Sequence, residues 1–126
     1  MEEHDFLLEI CIAVISTDKI IRFAGIMDNE GKLLVAKYRN NIKKPLITTS
    51  STKDMSSSTF YAGHLTVSIK KQFESHLGEL RFQLTEFERV RLLTIPITSR
   101  KDRYLCVSMD NSPNYENVIS KILENL

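Results

Sequence analysis

The stretch that most constrains this chain is residues 56–78, which reads as one long helix. Tyr61, Ala62, Leu65, Ile69, Phe73 and Leu77 recur at helical spacing and make an apolar stripe wide enough to cover a sheet. Ser56, Ser57, Ser58 and Thr59 offer an N-cap, and Gly78 supplies the left-handed residue that closes many helices. At ~100° per residue, Phe60, Gly63 and Val67 stand on the opposite side, with His64 and Lys71 beside them. A helix with two apolar faces is expected to cover its own sheet and something outside the domain. Glycine within a helix costs ~1 kcal/mol relative to alanine. Gly63 between Phe60 and Val67 is accounted for if a second backbone approaches there; otherwise Phe60 packs under the Leu46-Ile47 loop and Gly63 has no role.

Around that rod the periodicities alternate between helix and strand. Residues 3–15 read as a first helix, with Phe6, Ile10 and Val14 on one stripe, Leu7 and Cys11 beside them and an acidic back. Residues 20–27 alternate as a strand, Ile21, Phe23 and Met27 on one face and Arg22 on the other. Asp28-Asn29-Glu30-Gly31 is a turn whose positive-φ glycine closes a hairpin with a bulge, and residues 32–39 return with Leu33 and Val35 opposite Leu34, Ala36 and Tyr38. Residues 40–55 show no period and read as a long loop.

Beyond Gly78, residues 79–85 alternate Leu80, Phe82 and Leu84 against Arg81 and Gln83. Residues 89–97 place Leu93, Ile95 and Ile97 on one face, with Pro96 expected at the strand's end or an edge. Residues 103–109 place Leu105, Val107 and Met109 together, and the Tyr104-Leu105-Cys106-Val107 run suggests a central strand. Ser112-Pro113 reads as a cap with proline at the first helical position, followed by a helix marked by Tyr115, Val118, Ile119, Ile122, Leu123 and Leu126. The expected fold class is α+β, one domain over residues 1–126. A five-stranded antiparallel sheet carries one long central helix and N- and C-terminal helices, in the order α-β-β-α-β-β-β-α.

Charge is uneven though the net is only +1. Residues 1–19 carry five acids against one lysine and residues 110–126 three acids against one lysine, so residues 20–109 hold a surplus of seven positive charges. Acidic ends and a basic middle suggest complementary surfaces within one molecule or between two copies; solvated faces that differ in sign would look the same. No apolar run reaches membrane-spanning length, and the acidic start is unlike a secretory signal, so a cytoplasmic protein with no membrane partner is expected. Cys11 and Cys106 have no partner at metal or redox spacing and read as small core residues.

The chemistry-bearing residue types build no active site. His4, His64 and His76 form no metal cluster, and the four glycines are isolated rather than grouped in a phosphate loop. Neither cofactor, metal nor catalytic residue is expected, and the chain is read as no enzyme. Ser56, Ser57 and Ser58 with Lys53 upstream could hold an anion on free backbone N–H groups, or could be a cap with spare serines. Arg81, Arg89, Arg91, Arg100, Lys101 and Arg103 make a basic three-strand segment, countered by Glu79, Glu86, Glu88 and Asp102. Without aromatics interleaved on the same face, cross-strand ion pairing explains them better than a nucleic-acid partner.

A hairpin, a crossing helix, a three-strand meander and flanking helices together resemble the roadblock/dynein light chain family, which has a profilin-like or longin-like layout. The stretch from Ile21 to Asp28 and on through Gly31-Lys32 also looks like an uncharacterised archaeal protein family, a likeness that carries no function. The roadblock resemblance implies a non-enzymatic homodimer that pairs through the long helix and an edge strand and serves as a regulatory or scaffolding platform, often near small GTPases. On this chain the corresponding surface is Phe60, Gly63, His64, Val67 and Lys71 with Leu80, Phe82 and Leu84. Its partners are then a second copy and another protein. The alternative is a small-ligand sensor of PAS/profilin-like layout, with residues 40–55 as a lid.

Overall fold

A computed structural model describes residues 2–39, 76–98 and 102–126. Two helices and five strands lie within them: α1 (Glu3–Ile15), β1 (Ile21–Asp28), β2 (Leu33–Tyr38), β3 (Gln83–Glu86), β4 (Val90–Pro96), β5 (Arg103–Asp110) and α2 (Tyr115–Glu124). The strands form one antiparallel sheet in the order β2-β1-β5-β4-β3, so β5 is central, as its apolar run implies. The long-helix stretch lies outside the described residues up to residue 75. Its end is described: His76 and Leu77 are helical and Gly78 has φ +92°, the left-handed closure expected of it.

Helix α1 has the expected bounds but a different rotation. Glu3 and Asp5 in its first turn favour the positive end of the helix dipole. Leu7, Cys11 and Val14 are the buried line, whereas Phe6 is 56% exposed and Ile10 half-buried. Both lines are apolar at the same period, so spacing alone left the rotation open; packing on β1 and β2 turned Leu7 and Cys11 inward. The helix ends at Ser16, whose hydroxyl donates to the Ile12 carbonyl at 2.9 Å. Arg39 completes that end: Nε donates to the Ile21 carbonyl at 2.7 Å, and a terminal guanidinium nitrogen donates to the carbonyls of Ile15 and Asp18.

A bulge is expected in the first hairpin, but two register shifts in the pairings of β1 overturn the faces expected of its strands. A register shift between Ile21 and Phe23 against β5 puts Ile21 in the core beneath α1 and α2, and Phe23 and Met27 in a second cluster. A second shift between Ile26 and Met27 against β2 leaves Leu33 with that second cluster while Leu34 and Val35 join the first. Ile21 therefore shares no face with Phe23, nor Leu33 with Val35. The turn itself is as expected: Gly31 has φ +85°, and Asp28 Oδ1 accepts from the N–H groups of Glu30 and Lys32, each at 2.9 Å.

The inner strands β1, β5 and β4 are buried on both faces, while β2 and β3 are mostly half-buried or exposed. Ala24, Ile26, Leu93, Ile95, Leu105, Val107 and Met109 meet Leu7, Cys11, Val14, Val118, Ile119 and Ile122 on one side. Phe23, Met27, Tyr104 and Cys106 are buried on the other, with the Phe23 and Tyr38 rings 4.8 Å apart. Leu93, Ile95 and Ile97 share a face, as do Leu105, Val107 and Met109. Pro96 closes β4 opposite Tyr104. The Ile97 N–H points to β5, where it bonds the Arg103 carbonyl at 3.0 Å. Pro96 therefore presents its missing donor to the other side, beyond the last β3 pair at Gln83 and Thr94.

The C-terminal helix starts later than the Ser112-Pro113 signal suggests. Those residues form a turn, in which Ser112 Oγ accepts from the Asn114 N–H at 3.2 Å and the Ser112 carbonyl accepts from the Tyr115 N–H at 3.2 Å. Helix α2 then buries Val118, Ile119 and Ile122 and leaves Leu123 and Leu126 exposed.

Candidate protein-binding surface

Strand β3 stands last in the sheet order and pairs with β4 through Gln83–Thr94, Leu84–Leu93, Thr85–Leu92 and Glu86–Arg91. It is shorter than the alternation over residues 79–85 suggests, so Leu80 and Phe82 precede the strand rather than belong to it. Leu84 is half-buried against the core, Leu80 is half-buried and Phe82 is exposed. Leu77, at the end of the preceding helical turn, is 81% exposed. Phe60, Gly63, His64, Val67 and Lys71, and the anion candidates Lys53, Ser56, Ser57 and Ser58, lie outside the described residues. So does the space between sheet and long helix that a ligand sensor would use.

The turn after β3 is braced. Asn111 Nδ2 donates to the carbonyls of Phe87 and Glu88 at 2.8 and 2.6 Å, and the Phe87 N–H bonds the Val90 carbonyl at 2.8 Å. This holds the half-exposed Phe87 ring on a fixed corner beside the β3 edge.

Within the basic segment one pair, Arg91 with Glu86, is the cross-strand contact expected; Arg103 pairs with Glu3 of α1 instead, and Arg100 and Lys101 lie outside the described residues. Arg91 faces Glu86 in the β3–β4 register, with nitrogen–oxygen distances of 3.0 and 3.1 Å, donates to the Ser112 carbonyl at 3.1 Å, and lies 3.8 Å over the Tyr115 ring. The acidic ends and basic middle also meet within the molecule. Arg103 grips both Glu3 oxygens at 2.9 and 3.1 Å, a contact that raises its pKa, and Arg22 bonds Asp110 at 2.9 Å. These bridges tie α1 and the end of β5 to the sheet and occupy charges that a partner could otherwise use.

Both cysteines are buried. Burial pushes the Cys11 thiol up to about 12 and also raises that of Cys106. Thiols held protonated in this way are poor nucleophiles and poor ligands. His4 and His76 are exposed, and among the described residues no group of three or more His, Cys, Asp or Glu is placed to hold a metal ion. No described helix is long and apolar enough to cross a membrane.

Sheet order, strand directions and flanking helices define a roadblock-like domain. No protein-family model matches the sequence, and no curated relative does. The fold is similar to the gliding protein MglB of Thermus thermophilus, with TM-score 0.70 and 18% identity over 94% of this chain and 81% of that one. Myxococcus xanthus MglB also gives 0.70 at 18% identity, covering 98% of this chain and 84% of that one. A Roadblock/LC7 domain from Streptomyces avermitilis gives 0.66 at 9% identity, covering 92% and 88%. At such identities the likeness establishes the shared fold.

Two features escape the sequence reading. Arg39 clasps α1 across a long separation and carries no local signal. The exposed Phe6–Ile10 side of α1 has the same period as a core stripe, although Glu2, Asp5 and Glu9 running alongside it mark a boundary with solvent.

Proposed function

We propose that this chain is a non-enzymatic regulatory or scaffolding module that pairs with a second copy of itself and binds another protein. The observation that carries the reading is the roadblock-like sheet ending in β3, with exposed Phe82 immediately before that strand and exposed Leu77 at the end of the preceding helical turn. Apolar side chains next to the last strand of a sheet suit the burial of that strand against a twin. Phe60, Gly63, His64, Val67 and Lys71 supply the helical half of the interface, and Phe82 with Leu80 and Leu84 the strand half. One solved relative, an MglB, is described in a tetrameric arrangement, so self-assembly is compatible with this fold. A small GTPase system as the further partner rests on fold analogy.

Light scattering coupled to gel filtration tests the pairing. The chain elutes as a dimer at micromolar concentration, and Val67→Glu converts it to a monomer with an unchanged circular dichroism spectrum. A monomeric wild type refutes the dimer; a dimer that survives Val67→Glu refutes this choice of helix face.

A further inference from the structure

Helices α1 and α2 leave a groove between them on the side of the sheet that carries β1 and β2. It encloses about 310 Å³ and is lined by Phe6, Ile10 and Ala13 of α1 and by Ile122 and Leu126 near the end of the chain, with Glu9 at its rim. Its apolar walls are open to water: Phe6 is 56% and Leu126 51% exposed, while Ala13 is also exposed. Large apolar side chains grouped in a concave strip are a recurrent docking feature for an amphipathic segment.

The charge around the groove selects the occupant. Asp5 and Glu9 are four residues apart on α1 and so share an exposed line beside the apolar strip, with Glu9 at the groove itself and the exposed Glu2 just before the helix. Asp5 lies 3.7 Å from the exposed His4 imidazole, and neither Glu2 nor Glu9 has an ion-pair partner among the described residues. Glu3 is already held by Arg103, and Lys121 faces Asp18 at 3.9 Å, so those charges are compensated. A second copy brought up by two-fold symmetry would set this acidic line against itself. An anionic bilayer would be repelled by it. A helix with apolar residues on one side and lysine or arginine flanking them satisfies both strip and rim.

We propose that the α1–α2 groove is a docking site for a basic amphipathic helix of a partner protein. The site is remote from the β3 edge, because α1 packs on β1 and β2 at the other end of the sheet order. It is therefore independent of the pairing surface, and a dimer would present two such grooves.

The test uses the full chain and a short synthetic helix bearing leucines at i, i+3, i+4 and i+7 with lysines between them. Its controls are the same leucine stripe with glutamates, a scrambled lysine peptide, and phosphatidylglycerol vesicles. The lysine helix is expected to bind at micromolar concentration by fluorescence anisotropy, to shift the amide resonances of Phe6, Ile10 and Leu126, and to weaken with added salt. Ala13→Arg, which fills the groove from an exposed position, and Glu9→Lys, which reverses the rim, are each expected to weaken binding about tenfold without altering oligomeric state. The proposal is overturned if the lysine helix does not bind, if the scrambled or glutamate peptide binds equally, if neither variant changes the affinity, or if the vesicles bind in its place. Val67→Glu leaves the peptide affinity unchanged, which separates failure of this site from failure of the dimer.

Discussion

Replacing Arg39 with alanine removes three hydrogen bonds that link the end of β2 to the end of α1 and the start of β1. The guanidinium donates to the carbonyls of Ile21, Ile15 and Asp18, and the side chain is half-buried. A hydrogen bond from a charged donor is worth about 1.5–3 kcal/mol, and water can take over part of each at a half-buried site. With about 1 kcal/mol lost per carbonyl, Arg39→Ala should destabilise the fold by about 3 kcal/mol. Against a typical total of about 5–15 kcal/mol, that is a large loss. Arg39→Lys restores the charge but concentrates its donors on one nitrogen, so it should recover about 1 kcal/mol. Urea unfolding followed by circular dichroism measures both, with an unchanged m-value showing that the unfolded state is the same. Amide exchange gives a second readout. The Ser16 N–H, bonded to the Ile12 carbonyl at 3.0 Å, should exchange faster once the last turn of α1 is unclasped. A variant within about 0.5 kcal/mol of wild type, with Ser16 protection intact, would refute the clasp; that threshold is about the error of the method.

Gly25→Ala should cost about 1–3 kcal/mol, because the added Cβ would lie 2.8 Å from Phe23 Cζ and 3.0 Å from Leu33 Cδ1 in a packed cluster; a thermal midpoint equal to wild type would contradict that packing. The folded Cys11 thiol holds its proton more tightly than the unfolded one, so its contribution is complete below pH 9.0 and is lost as pH rises towards about 12. The stability advantage of wild type over Cys11→Ala should therefore shrink by about 1.4 kcal/mol per pH unit in that window, measured by denaturant titration at each pH. Glu3→Gln breaks the bridge to Arg103, whose Glu3 side chain is 57% exposed, and should cost less than about 1 kcal/mol, an effect that fades in high salt.

Sequence periodicity determined most of the described elements of this protein because the signals involved are local. An uninterrupted apolar stripe with acids in its first turn specified α1, Asp28 and Gly31 specified the hairpin turn, and strict alternation specified the inner face of β4 and β5. The density of apolar residues in β5 even placed it at the centre of the sheet. Tertiary structure decided what depends on residues far apart in the chain. The rotation of α1 was set by which of two apolar lines fitted β1 and β2, and a bulge in each pairing of β1 moved Ile21 and Leu33 across the sheet. The α1–α2 groove exists because two distant helices lie side by side without closing over Phe6 and Leu126, and the Arg39 clasp because the end of β2 returns to the end of α1. Spacing records the period of an element; its rotation, register and neighbours come from packing against parts of the chain that its own residues do not encode.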